Sequence, residues 1–356
     1  MREKANYQNR KPVFSAEDRR NIAFAAGKKL IYLDFNVWIN INERFQHIAA
    51  KCGQAVSSGK VLFPVSNAAV LEVIEQPDTE QRASLAALMD DLCQGICYRP
   101  SEEIYQEEAT SAFEVILGQS AIQVSRERTL SWIVECFGHM AVDFPSSWLQ
   151  TSANQFHQQL ANAPELRSVK WLADHLPVEE MRVKHDSSKK DYVDKMRAAM
   201  EKCTRDYQHL AKDIRRKRLL LDERVWAVKK FVSPNITKGL LHAVGPENVL
   251  AALEAISRQA GEGGEERLEQ VMSVMPSLDL YCRIMAERGI NPSRKPREQD
   301  FHDAEHAIIG SVYADVFVTS DKYLLDLLNH RCSIPKERGC KVVCGIEGLE
   351  EVLKEL

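Results

Sequence analysis

The chain has no CxxC pair, although nine cysteines are spread through its 356 residues. An odd number of scattered cysteines argues against a disulfide framework and for a reducing compartment. Two CxxxC spacings occur, Cys93 with Cys97 and Cys340 with Cys344, but neither has a second ligand pair at zinc spacing, which sets a structural zinc aside. Long apolar runs are also lacking. Nothing approaches the roughly twenty apolar residues of a membrane span, and the polar opening MREKANYQNRKPVFSAEDRR has no apolar core of a secretory leader. The expectation is a cytoplasmic protein without a membrane partner. Excess charge is missing as well: a formal net charge of -4 gives no global sign of nucleic-acid binding, so any basic footprint has to be local. What remains, 44% hydrophobic and 28% charged residues, is ordinary for a globular chain long enough for one large or two medium domains.

The most informative stretch is Leu30-Ile31-Tyr32-Leu33-Asp34-Phe35-Asn36-Val37-Trp38-Ile39, an apolar strand that ends in a carboxylate and turns at once into a helix. Apolar residues at helical spacing continue to Val56, and Val61 to Val65 reads as a second short strand. Ser66-Asn67 caps a helix that carries Glu72 and stops at Gln76-Pro77-Asp78. A helix from Thr79 to about Gln94 then leads to a brief strand before Pro100. From about residue 101 to 290 the periodicity is helical almost throughout. Within that span Arg182 to Lys230 has few breakers and twice as many Lys and Arg as Asp and Glu, densest at Lys212 to Arg218. It reads as one long helix, either a basic face for a phosphate backbone or a solvated surface. Strand signals return at the carboxyl end. Asn291 to Arg297 is a basic loop, Asp300 to Tyr313 a helix, Asp315 to Asp321 a strand ending in an acid, and Cys340 to Cys344 a last strand before a closing helix.

This order predicts an α/β fold: an α/β/α core with a central parallel sheet, interrupted by a large α-helical insertion. The divisions are an amino-terminal arm (1–27), the first half of the core (28–100), the insertion (101–296) and the second half of the core (297–356). In a parallel sheet Asp34 and Asp321 lie at the same carboxyl edge, and Glu72 and Asp303 sit in the first turns of helices that start there. Four converging carboxylates repel one another, and divalent cations bound by oxygen resolve that repulsion. Such metals suit phosphodiester hydrolysis. Glu75 is the alternative to Glu72, Asp300 is either a further ligand or a helix cap, and Asp315 belongs to the far edge and to structure. His302 and His306 are four apart, a spacing that presents two imidazoles on one face, but no HExxH context supports zinc.

The pattern Leu-Asp34-x-Asn36-Val-x-Ile, then Ser66 and Glu72, then Asp300-x-x-Asp303-x-x-His306, then Val-x-Val-Thr319-Ser320-Asp321-Lys322 resembles the PIN-domain (PilT N-terminus) and PIN-like metal-dependent ribonucleases. The resemblance covers the core on both sides of the insertion, and nothing about the insertion carries over. It implies a metal-dependent endoribonuclease in which Asp34, Glu72, Asp303 and Asp321 hold one or two Mg²⁺ or Mn²⁺ ions. Asn36, Ser66, Thr319 and Ser320 are expected to orient ligands or meet phosphate. His306 is expected either to meet substrate phosphate or a supporting carboxylate or to be an ordinary half-buried histidine, and Lys322 and the loop residues Arg294 and Lys295 are candidates for contact with RNA. Such nucleases act as toxins, in RNA processing and in defence. Two alternatives stand beside this reading: a DNA or flap-type nuclease on the same acids, and a catalytically inactive scaffold that binds RNA or a protein. An inhibitory or assembly partner is a further expectation that no motif supports.

Overall fold

The computed structural model describes residues 27–121, 123–133, 136, 167–175, 178–232, 251, 253–255, 263–291 and 295–356. The fold is mixed α/β and mostly helical, around a central parallel sheet of four strands. Strand β1 (Lys29–Leu33) is its centre. On one side β1 pairs with β2 (Val61–Leu62), on the other with β5 (Val316–Thr319), and β5 pairs with β6 (Lys341–Cys344), all parallel. Leu33 stands opposite Val318, so both strands end at one edge. The order β2-β1-β5-β6 means that the chain leaves β1 one way and leaves β5 the other. The gap between their carboxyl ends is the topological switch point at which open α/β sheets bind ligands.

The strands are apolar on both sides because helices cover both faces. Ile31, Leu33, Val316 and Val318 face helices α1 (Phe35–Glu43), α2 (Gln46–Ser57) and the last helix of the chain, while Leu30, Tyr32 and Phe317 face the remainder of the molecule. The expected single helix after Asp34 is thus two, broken at Arg44 and Phe45. Neither Gly nor Pro marks that break. It lets α1 pack on α2 and on the helix that follows α3 (Asn67–Glu75), namely α4 (Thr79–Cys93). Ser66 caps α3 through its hydroxyl, as its sequence position suggests, and Gln76 ends it.

The region 101–296 is not wholly helical. After β3 (Ile96–Tyr98) and α5 (Ser101–Ile116), the segment Leu130–Trp132 forms β4, antiparallel to β3. Three residues are too few for a readable alternation, so pairing with β3 rather than local propensity makes this strand. Beyond α6 (Val169–His175), the basic stretch also departs from expectation: α7 (Val178–Tyr207) and α8 (Lys212–Ala227) are separate helices joined by a short turn. A straight helix over that whole stretch would run about 70 Å and leave part of its apolar stripe uncovered. Broken, both halves pack on α10 (Pro276–Gly289), which follows α9 (Gly264–Ser273). Part of the basic cluster is neutralised internally, with Arg216 paired to Glu287 and to Asp213. None of the described helices is long and apolar enough to cross a membrane.

Helix α11 (Gln299–Tyr313) lies against the sheet. Its carboxyl end and the start of α10 are joined by Glu108 of α5, a buried carboxylate that accepts from the amides of Ser277 (3.0 Å) and Leu278 (3.3 Å) and from the Tyr313 hydroxyl. Burial raises the Glu108 carboxyl to about 7. After β5 come α12 (Lys322–Asp326), a π-helical turn, α13 (Ile334–Glu337), β6 and the closing α14 (Gly345–Lys354). Asp315 is structural, as its position at the far edge implies: it accepts from the Leu30 amide at 2.7 Å and pairs with Arg126. A shallow cavity of about 420 Å³ opens there, lined by Lys28, Arg126, Asp315 and Lys341, at the sheet edge opposite the acids.

Candidate metal centre at the sheet edge

Asp34 leaves β1 in extended conformation and caps α1, its Oδ1 accepting from the Val37 amide at 2.9 Å. Its Oδ2 accepts from the Ser320 amide at 2.9 Å, and the Thr319 hydroxyl also bonds the carboxylate. One side chain thus ties the ends of β1 and β5 together. Burial pushes the Asp34 carboxyl up, against the lowering effect of these hydrogen bonds and of His306. Asp321 caps α12 with a single oxygen, Oδ1, which accepts from Tyr323 (2.7 Å) and Leu324 (2.9 Å). Its own amide donates to Thr319 Oγ1 at 3.1 Å.

Glu72 is buried in α3 and meets α11. Its Oε2 lies 2.6 Å from His306 Nε2, and its Oε1 lies 3.9 Å from His302 Nδ1. The four-residue spacing of the two histidines therefore turns both toward a carboxylate. His306 Nδ1 lies 2.6 Å from the Tyr32 hydroxyl, and that hydroxyl lies 2.6 Å from Ser66 Oγ. A buried chain of polar atoms thus runs Ser66–Tyr32–His306–Glu72. Burial by itself lowers the His306 pKa, but the charge and hydrogen bond of Glu72, with Asp34 and Asp303 nearby, outweigh it and raise it overall. Burial raises the Tyr32 hydroxyl far above its ordinary value, so it stays neutral.

Asp303 is raised to about 7, by burial first, with Asp321 and Asp300 adding to the rise and Arg288 and His306 opposing it. Arg288 is 1% exposed. Its Nη2 stands 3.7 Å from Asp300 Oδ1 and 4.0 Å from Asp303 Oδ2, and its Nη1 donates to the Asp300 carbonyl at 2.6 Å and to the Tyr192 hydroxyl. Asp300 also accepts from the Arg297 amide at 3.0 Å, so it fastens the start of α11. Glu75, the alternative to Glu72, instead pairs with Lys189 at 3.1 Å.

Glu72 bonds His306, the charges of Asp34 and Asp303 act on His306, and that of Asp321 acts on Asp303. Thr319 and Ser320 bond Asp34, and Ser66 bonds Tyr32. Asn36, Lys295 and Lys322 are exposed, and Arg294 lies outside the described residues. Among the described residues, no three His, Cys, Asp or Glu side chains are already placed to hold one ion. Tyr32 and Arg288 are the residues that sequence reading misses. Tyr32 is the one polar tip inside an apolar strand, which is a faint signal. Arg288 sits in the last turn of a helix, where a basic residue is ordinary, so nothing marks it. No protein-family model, curated protein or solved structure matches the chain.

Proposed function

We propose that the chain is a PIN-like, metal-dependent ribonuclease that hydrolyses RNA phosphodiester bonds at the edge formed by Asp34, Glu72, Asp303 and Asp321. The observation that carries this reading is the pairing of β1 with β5: two parallel neighbours each end in an acid at the switch point, and Asp303 faces the second of them. Buried carboxylates such as Asp34 and Glu72 are costly without a counter-charge. Asp303 is raised to about 7, so at neutral pH it is poised between a proton and a cation. The donors are carboxylate oxygens, which fit Mg²⁺ or Mn²⁺ better than softer metals.

Asp34, Asp303 and Asp321 would hold the ion. When bound, it would make a water nucleophilic at neutral pH and stabilise the leaving oxygen. The chain's own residues do the rest. Ser320 and Thr319 fix the Asp34 carboxylate, and His306 fixes Glu72 while Tyr32 sets the orientation of the imidazole. The exposed Lys322 and Lys295 are available to the RNA phosphates.

One observation favours a second reading, a PIN-like scaffold that binds RNA or protein without cutting. Glu72 already has His306, and Asp300 and Asp303 already have Arg288, so protein cations balance part of the acid charge. Incubating the purified chain with single-stranded RNA, single-stranded DNA and branched DNA, with Mn²⁺ or with EDTA, separates the readings. Cleavage of RNA in Mn²⁺ alone is expected. Preferential cutting of branched DNA would move the assignment to a flap-type nuclease, and no cutting of any substrate would favour the scaffold.

A further inference from the structure

Arg288, in the last turn of α10, is a buried cation that the expected set of acids does not call for. Its guanidinium is charged at any ordinary pH, and a charge at that depth is stable only beside anions. What fastens it, however, is neutral. Nη1 donates to the Asp300 carbonyl at 2.6 Å and to the Tyr192 hydroxyl. The two carboxylates stand further off, Asp300 Oδ1 at 3.7 Å and Asp303 Oδ2 at 4.0 Å from Nη2, too far for hydrogen bonds. Among the described residues, nothing hydrogen-bonds Arg288 Nε or Nη2. Arg288 therefore acts on this pair as one charge shared by two acids, rather than as the fork of a bidentate salt bridge. A divalent ion between carboxylates does the same.

The guanidinium has little room to withdraw. Gly289 follows it, and a Cβ added there would stand 3.3 Å from Leu219 Cδ1 of α8 and 3.6 Å from Ala199 Cβ of α7, so the end of α10 is wedged against both helices. Tyr192 is held in turn, packing edge-on against Phe301 of α11 with ring centroids 5.6 Å apart. The charge is thus fixed relative to the helix that carries Asp300 and Asp303. Two-metal centres set their ions about 3.5–4 Å apart on shared acids. Here Asp303 is the acid available for sharing, since it feels Asp321 as well as Asp300 and Arg288, while Glu72 is taken by His306 at 2.6 Å. A second ion would have to share Asp303 with a guanidinium that repels it.

We propose that Arg288 is the second cation of this centre, built into the chain, so that the acids take a single divalent ion. The inference rests on the metal reading above, in which Asp34, Asp303 and Asp321 hold that ion. Arg288 touches neither the ion nor RNA; it is a positioning residue that acts through Asp303.

The test counts Mn²⁺ on the full chain at pH 8 by native mass spectrometry, without RNA. The wild type should carry one ion. Arg288→Lys and Tyr192→Phe should also carry one, the first because it keeps a charge, the second because it removes only a hydrogen bond to that charge. Arg288→Gln should carry two, and Mn²⁺ should raise its melting temperature more than that of the wild type, since an ion then replaces the lost charge. A gained ion cannot come from a loosened fold, which would lose ions instead. Two ions on the wild type or on either control, or fewer than two on Arg288→Gln, would overturn the proposal. So would an Arg288→Gln chain that stays unfolded in excess Mn²⁺, because an ion is expected to substitute for the guanidinium. No ion on the wild type would defeat the metal reading itself, and this proposal with it.

Discussion

Asp321→Asn should reduce RNA cleavage by roughly a thousandfold, the scale of losing one group that stabilises charge in the transition state, at almost unchanged stability. The separation follows from how Asp321 is used. Its Oδ1 alone accepts both cap hydrogen bonds, from Tyr323 and Leu324. An asparagine oxygen serves as well at that position, since Asn and Asp are comparable caps. What disappears is the charge facing Asp303. The same substitution at Asp34 is expected to be less clean. Asp34 uses both oxygens, one for Val37 and one for Ser320, and an asparagine must turn its amide nitrogen toward one of these donors. Asp34→Asn should therefore lose activity to the same degree and also lose about 1–3 kcal/mol of stability, the cost of leaving a buried donor unmet. Parallel cleavage assays and thermal melts check both statements. Equal cleavage by the wild type and both variants would remove the acids from the chemistry.

Gly310→Val should destabilise the fold by about 3 kcal/mol, at the upper end of overpacking costs, and weaken activity as well. Gly310 lies in α11 where the helix crosses β1 and β5. A Cβ there overlaps the Tyr32 ring and comes within 2.7 Å of Phe317 Cδ2. Both neighbours are rings held in the closed core, so neither can yield by swinging into solvent. Tyr32 is also the hydrogen-bond partner of His306. Displacing its ring therefore loosens the imidazole that holds Glu72, for which a further tenfold to hundredfold loss of activity is the scale. Gly53 in α2 is the control. Nothing lies within 4 Å of a Cβ added there, and Gly53→Ala should gain about 0.5–1 kcal/mol from helix propensity. Denaturant unfolding of both variants measures the contrast; equal stabilities would mean that α11 does not press on the sheet as described.

The parts of this architecture that were legible in the sequence are those written locally. Four apolar residues followed by Asp34, and Val316 to Thr319 followed closely by Asp321, carry their own strand and cap signals. So does Ser66 before α3. The parts that were not legible depend on distant partners. Leu130–Trp132 becomes a strand because β3 offers an edge, and the long basic helix divides because α10 has room for both halves. In the candidate site, Asp34 and Asp321 could be named because each caps a helix straight after a strand, whereas Glu72 and Asp303 lie inside α3 and α11. Their satisfaction could not. Tyr32, Arg288 and Tyr192 look ordinary in sequence, and only three-dimensional packing brings the first against His306 and the other two beside Asp303. Glu72 and Glu75 were hard to separate for the same reason: they share a helix, and the choice between them is made by which faces His306 and which faces Lys189.

The most direct measurement is a calorimetric titration of the metal-free chain with Mn²⁺ across pH 6 to 8, beside Asp303→Asn. With Asp303 raised to about 7, it carries a proton below that pH, and an ion has to displace it. Proton release on binding is therefore predicted, with apparent affinity rising about tenfold per pH unit below 7 and levelling above it. Asp303→Asn should bind more weakly and without that pH dependence. Absence of Mn²⁺ binding by the wild type at pH 8, or equal affinity and equal pH dependence in the variant, would contradict the assignment of a metal to these acids.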